Sequence, residues 1–159
     1  MRIRAALGLT AAIITIAACA HPAPEAQAAM QWSFNYTHVE GLKLVYGQPR
    51  SDNVLVMLSC QPHSGLVEIA VATSEVKPGT VGLLSRRVGF DLTGAPAPTP
   101  VEGVGMVMGT TRADVPALEG FARTGELSVR TAGRRIAATA RGDDHALVSG
   151  FFGQCGRPA

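Results

Sequence analysis

Short apolar runs separated by turn-forming residues dominate the sequence from residue 30 onwards, and this pattern favours a β-rich fold. The chain has 18 Gly and 10 Pro in 159 residues, and these residues are the strongest local interruptions of regular structure. Trp32, Phe34 and Tyr36 alternate with polar neighbours, which is typical of a strand with one buried face. The sequence predicts strands at residues 32–36, 42–46, 54–60, 66–73, 83–92, 104–111, 127–130 and 135–140.

The run at 54–60 is nearly continuous apolar sequence, and its length and branched residues predict a strand buried on both faces. A short turn separates it from the strand at 66–73, so we expect an antiparallel hairpin with His63 at its tip. Residues 94–100 contain three alternating prolines. Because proline cannot donate to a sheet ladder, we expect an exposed loop there rather than a central strand.

Two short helices are predicted near the C-terminus. The first spans about 114–125, with Asp114 as its cap, Pro116 in its first turn and Gly125 at its end. The second is indicated by apolar residues four apart at 147, 151 and 155, with Asp143 or Asp144 capping its start. An edge strand is the alternative for this last segment.

Together these elements predict one α+β, β-rich domain over residues 30–159, without an internal repeat. We expect seven or eight mainly antiparallel strands in a sandwich or open barrel, with one or two short helices.

The N-terminus has the organisation of a secretion signal. Arg2 and Arg4 form a short basic segment, and residues 5–18 follow without a charge. This apolar stretch is too short to span a bilayer as a helix, which takes about 20 residues. We therefore predict a signal peptide at residues 1–18.

The end of this segment, Ile16-Ala17-Ala18-Cys19, resembles the lipobox of bacterial lipoproteins at all four positions. The resemblance implies that Cys19 becomes the first mature residue and carries the lipid, which anchors the chain in a membrane. The residue after Cys19 is Ala20 and not Asp, and the resemblance to lipoproteins of diderm bacteria then implies sorting to the outer membrane. Residues 19–29 would then form a Pro- and Ala-rich tether.

A second cleavage site leaves an alternative open. Ala26-Gln27-Ala28 matches the small-residue pattern of ordinary signal cleavage. A cut after Ala28 would discard Cys19 and release a soluble periplasmic or secreted protein.

Net charge argues against nucleic acid as a partner. Arg2 and Arg4 leave with the signal peptide, so 12 of the 14 Lys and Arg residues remain against 12 Asp and Glu. Nucleic-acid binding relies on many cationic contacts to phosphates. We expect the membrane as a partner through the lipid anchor, together with envelope proteins or glycan.

Both processing routes leave Cys60 and Cys155, and two cysteines in an oxidising compartment most often form a disulfide. Two alternatives are free thiols and a zinc site completed by His63 and His145. The spacing matches no zinc motif, so we predict the disulfide and no metal or cofactor.

No catalytic motif is present in the sequence. Ser64 beside His63 lacks a third group to orient the base, and Ser149 is not in a nucleophile-elbow pattern. We therefore expect a non-enzymatic binding or structural role in the cell envelope. The alternative is an envelope enzyme whose site is assembled from His63, Asp144 and His145.

Overall fold

The structure, a computed structural model, describes residues 30–74, 77–97, 99, 105–132 and 134–156. The predicted signal peptide and tether at 1–29 lie outside the described residues. The strands in the described part are β1 (Gln31–Thr37), β2 (Gly41–Gly47), β3 (Val54–Cys60), β4 (Leu66–Thr73), β5 (Gly79–Ser85), β6 (Val88–Ala97), β7 (Gly105–Arg112), β8 (Glu126–Thr131) and β9 (Arg134–Thr139). The helices are α1 (Pro116–Thr124) and α2 (Asp144–Cys155).

The described strands form one antiparallel sheet in the order β1-β2-β3-β4-β7-β6-β5-β8-β9. The sheet curves into a nearly closed, barrel-like shape. This confirms the predicted β-rich α+β class and, of the two architectures expected, favours the barrel. The β3–β4 hairpin is also confirmed, with Val56 opposite Val71 and Ser59 opposite Glu68.

The prediction of one strand at 83–92 is wrong, because the chain reverses at Arg86 and Arg87. Ser85 pairs with Val88 across this two-residue turn, which joins β5 to β6. Arg86 has a φ of +53°, in the left-handed region that such turns require and that Gly or Asn usually occupies. The sequence carries neither residue there, so the usual turn signal is missing.

The expectation of a loop throughout 94–100 is also wrong in part, because β6 continues to Ala97 and includes Pro96. Pro96 lies opposite Val107 of β7, whereas β5 stops pairing with β6 at Gly94. One side of β6 is therefore already unpaired at Pro96, which is where a sheet tolerates proline. Residues 98 and 100–104 lie outside the described residues.

Both helices contribute to a single hydrophobic core. α1 contacts β5, β6 and β8, α2 contacts β1 and β2, and the helices contact each other. Trp32 is 1% exposed, and its ring centroid lies 5.2 Å from those of both Tyr46 and Phe121. The buried helical residues, which join inward-facing residues of all nine strands, are Ala117, Leu118, Phe121, Val148, Phe151 and Cys155.

β3 is fully buried on one face only, which corrects the prediction of burial on both. Val56, Leu58 and Cys60 are buried, whereas the alternate residues Leu55 and Met57 are half-buried. Met57 lies on the outer face opposite Ala70, which is itself buried.

The start of α1 differs from the prediction, whereas the start of α2 agrees with it in position. Val115, not Asp114, occupies the cap position of α1, because the Asp114 carboxylate pairs with the guanidinium of Arg112. Asp143 occupies the cap position of α2 without a side-chain capping bond. The helical ends are as predicted: Gly125, with φ of +68°, ends α1, and Cys155 is the last residue of α2.

Candidate functional site

Cys60 and Cys155 form the predicted disulfide between the last residue of β3 and the last residue of α2. Their Cα atoms are 6.0 Å apart, and the bond closes a sequence separation of 95. Both cysteines are buried. The link therefore fixes the end of the C-terminal helix against the end of β3.

The turn after β3 completes this junction by capping α2. The backbone N–H of His63 donates to the carbonyl of Gln154 at 2.9 Å, and that of Gly65 donates to the carbonyl of Cys155 at 3.0 Å. Carbonyls at a helix C-terminus have no partner within the helix. The turn supplies those partners, so the positive φ of His63, +59°, serves the helix end.

His63 lies at one end of α2, and the other two residues of the alternative enzyme site, Asp144 and His145, lie at the other end. His63 is exposed beside Gln154, whereas Asp144 and His145 begin the helix. Ten residues of helix separate Asp144 from Gln154, a rise of about 15 Å. The structure therefore does not bring His63 together with Asp144 and His145.

Asp144 instead binds the first strand. Its Oδ2 accepts a hydrogen bond from the backbone N–H of Trp32 at 3.3 Å. His145 packs against Gly125, because a Cβ atom added at Gly125 would lie 2.9 Å from Cδ2 of His145. Both residues therefore have structural contacts close to the start of α2.

A cleft of about 360 Å³ lies between the end of β7 and the helices, lined by Arg112, Asp114, Glu119 and Phe152 among others. The pKa of the Arg112 guanidinium is raised above its usual value, mainly by the hydrogen bond to Asp114 and also by the charge attraction between the two groups. The basic group of this cleft is thus already paired with an acidic one.

The free edge of β1 is the feature that sequence reasoning missed. We define the β1 edge as the side of Gln31–Thr37 that faces away from β2. The N–H of Trp32 donates to Asp144 of α2, so this N–H points away from β2. In a β-strand, the main-chain N–H and C=O groups of residues two apart point to the same side. The main-chain groups of Phe34 and Tyr36 therefore point along the same edge, and no strand of the described chain pairs with them there.

Apart from the contact of Asp144 with Trp32, the β1 edge lacks the residues that usually block strand addition. Its seven residues include no charge and no proline, and its register with β2 runs without a bulge from Gln31 to Thr37. Natural edge strands are commonly protected by such residues. The opposite edge of the sheet, β9, begins with Arg134 and Arg135.

Exposed apolar side chains adjoin this edge. Tyr36 is 50% exposed and Val39, in the turn after β1, is 89% exposed. The Tyr36 hydroxyl and Nδ1 of His38 are 3.2 Å apart, and the two rings meet edge to face. A polar groove of about 290 Å³ follows the outer face of the strand, with Gln31, Ser33 and Asn35 on one side and Gln48, Arg50 and Ser51 on the other.

Comparisons with protein-family models, with curated proteins and with solved structures gave no match. Neither helix of the described part has the length and apolar character needed to cross a membrane. Among the described residues, no group of three or more His, Cys, Asp or Glu side chains is arranged to hold a metal ion.

Proposed function

We propose that this chain is an exported lipoprotein of the bacterial cell envelope, and that its folded domain has a non-enzymatic binding role. In this proposal residues 1–18 are removed and Cys19 carries the lipid. Residues 19–29 then tether the domain on the periplasmic side, at the outer membrane.

The distribution of the three cysteines carries the proposal. Two of them, Cys60 and Cys155, are bonded to each other inside the core. Such a bond is favoured in an oxidising compartment. The sequence therefore holds no other cysteine with which the third, Cys19, could form a disulfide, and Cys19 occupies the lipobox position. An odd cysteine in an exported protein calls for a separate role, and lipidation provides one.

The binding role is supported by the β1 edge. A strand with unpaired main-chain groups is a ready template for another strand. Tyr36 and Val39 add exposed apolar surface at the same place, and the groove beside β1 offers amide, hydroxyl and guanidinium groups. Such groups suit a polar envelope ligand, including glycan.

Variants of the two cleavage sites test the proposal in the native host. In Cys19→Ser the lipid attachment point is lost, so we expect the protein to leave the membrane fraction and to lack acyl chains. The matched variant Ala28→Leu disturbs only the second cleavage site, and we expect it to remain membrane-bound. If Cys19→Ser has no effect and Ala28→Leu blocks maturation, the protein is the soluble periplasmic form.

The binding role is tested on the purified mature protein. We expect charged substitution at the β1 edge to abolish association of the domain with its envelope partner, while His63→Ala and His145→Ala leave that association intact. A hydrolytic activity of the wild-type protein that is lost in His63→Ala or His145→Ala would instead establish the enzyme.

A further inference from the structure

We propose that the occupant of the β1 edge is a second copy of this chain, joined through antiparallel pairing of the two β1 strands about a two-fold axis at Asn35. The inference rests on the proposed membrane anchor, which places the copies side by side. It names the binding partner for that surface.

The main chain sets the register. Phe34 and Tyr36 direct their free groups along the edge, whereas the N–H of Trp32 is occupied by Asp144. An axis at Asn35 places Phe34 opposite Tyr36 of the second copy, and Tyr36 opposite its Phe34. Each such pair exchanges two hydrogen bonds, so four bonds form while the Trp32–Asp144 contact is kept.

The side chains fit the same register. Phe34 and Tyr36 of the two copies form two aromatic cross-strand pairs on one face, a combination that stabilises antiparallel sheets. On the outer face Asn35 meets its own symmetry mate, and Ser33 meets Thr37 of the second copy. These outer-face residues are exposed, so they can form the contacts without any change in the packing of the core.

Closure of the assembly favours pairing of two β1 strands over pairing of β1 with β9 of another copy. β1 carries no charge, so two copies bring no like charges into opposition. The charged residues nearest its turn, Glu40 and Lys43, already pair with each other at 2.7 Å. Pairing of β1 with β9 of another copy would meet Arg134 and Arg135 and would extend without closing, whereas the two-fold pairing closes.

The tether is compatible with this symmetry. Met30 lies five residues from the axis at Asn35, so the two Met30 residues are about 34 Å apart along the strands. The 11 residues 19–29 reach at most about 40 Å. Each copy has its own anchor, so both chains can start from one membrane surface, and anchoring raises the effective concentration of the edges.

Cysteine cross-linking tests the register. Asn35→Cys places two sulfurs across the axis, at a Cα separation of about 4.5 Å, which a disulfide spans. Ser33→Cys and Thr37→Cys each lie about 14 Å from their own symmetry mates and cannot self-link. We expect a covalent dimer of Asn35→Cys, none of either control alone, and a dimer when Ser33→Cys and Thr37→Cys chains are mixed.

The measurement is made under oxidation, by non-reducing electrophoresis of envelope membranes holding the full anchored chain. Wild-type protein, whose Cys60 and Cys155 are already bonded, provides the background. Absence of the Asn35→Cys dimer, or equal dimer from Ser33→Cys alone, overturns the proposed pairing.

A charge variant provides an independent test. Asn35→Lys brings two ammonium groups together at the axis, so we expect at least a tenfold loss of dimer from the Ser33→Cys and Thr37→Cys mixture when both chains carry it. Thr110→Lys, on an exposed outer-face position of β7, is the matched control and should leave the yield unchanged. Equal yields for the two lysine variants contradict the proposal.

The two proposals fail in different ways. The same cross-linking is repeated with the Cys19→Ser chain at high concentration in solution. A dimer there, together with unchanged fractionation of Cys19→Ser in cells, rejects the anchor and keeps the pairing. No dimer in either setting, with normal membrane anchoring, rejects the pairing and keeps the lipoprotein.

Discussion

The backbone N–H of Trp32 donates a hydrogen bond to Oδ2 of Asp144 at 3.3 Å, across 112 positions of the sequence. The bond joins the first strand to the start of the last helix. It also occupies one outward-facing main-chain group of β1, which leaves Phe34 and Tyr36 as the open part of that edge. The Asp144 carboxylate therefore joins the two ends of the domain and shortens the unpaired part of the β1 edge.

Removing this carboxylate should destabilise the domain. A hydrogen bond to a charged group contributes about 1.5–3 kcal/mol, and this one is only partly buried, so we expect Asp144→Ala to lower the free energy of unfolding by about 1–2 kcal/mol. Urea titration followed by the fluorescence of Trp32, the chain's one tryptophan, measures it. Asp143→Ala is the control, because Asp143 makes no side-chain capping bond. Equal losses in both variants would show that the Trp32 contact is not responsible.

The disulfide should supply a large part of the domain's stability. For a closed loop of this length, restriction of the unfolded chain contributes about 4–5 kcal/mol. We expect reduction, or the double substitution Cys60→Ala and Cys155→Ala, to lower the free energy of unfolding by up to this amount. Thermal melts with and without reductant give the value. Cys19→Ser should leave the melt unchanged, and a wild-type melt insensitive to reductant would contradict the expectation.

Two helical glycines should respond to alanine in opposite directions. At Gly153 of α2 an added Cβ meets nothing within 4 Å, whereas at Gly120 of α1 it lies 2.9 Å from Oγ of Ser85. Alanine is favoured over glycine inside a helix by about 1 kcal/mol. We expect Gly153→Ala to raise the unfolding free energy by about 0.5–1 kcal/mol, and Gly120→Ala to lower it because Ser85 is buried. Stabilisation by both alanine variants would contradict the close contact between Gly120 and Ser85.

Local pattern was sufficient for most of the sheet and for both helices. Alternation identified β1, and the four-residue spacing of Leu147, Phe151 and Cys155 identified α2 rather than an edge strand. These signals succeed because one buried face imposes the period of the element on the sequence. The disulfide followed from cysteine count and the predicted compartment, without any geometric information.

Other features were beyond local pattern for physical reasons. The turn at Arg86 uses a left-handed non-glycine residue, and Pro96 is tolerated only because β5 has already stopped pairing with β6. The expected cap of α1 failed because Asp114 binds Arg112. At α2, Asp143 takes the cap position, whereas Asp144 binds Trp32. The free edge of β1 depends on the strand order of the whole sheet, which no segment specifies alone.

The mass of the native protein, isolated from its host and alkylated under denaturing conditions without reductant, tests the central claim most directly. We expect a mature chain that begins at Cys19 with its acyl groups and takes up no alkylating reagent, and that gains two alkyl groups after reduction. A chain that begins at Ala29, or one that is alkylated at Cys60 and Cys155 before reduction, would contradict the account.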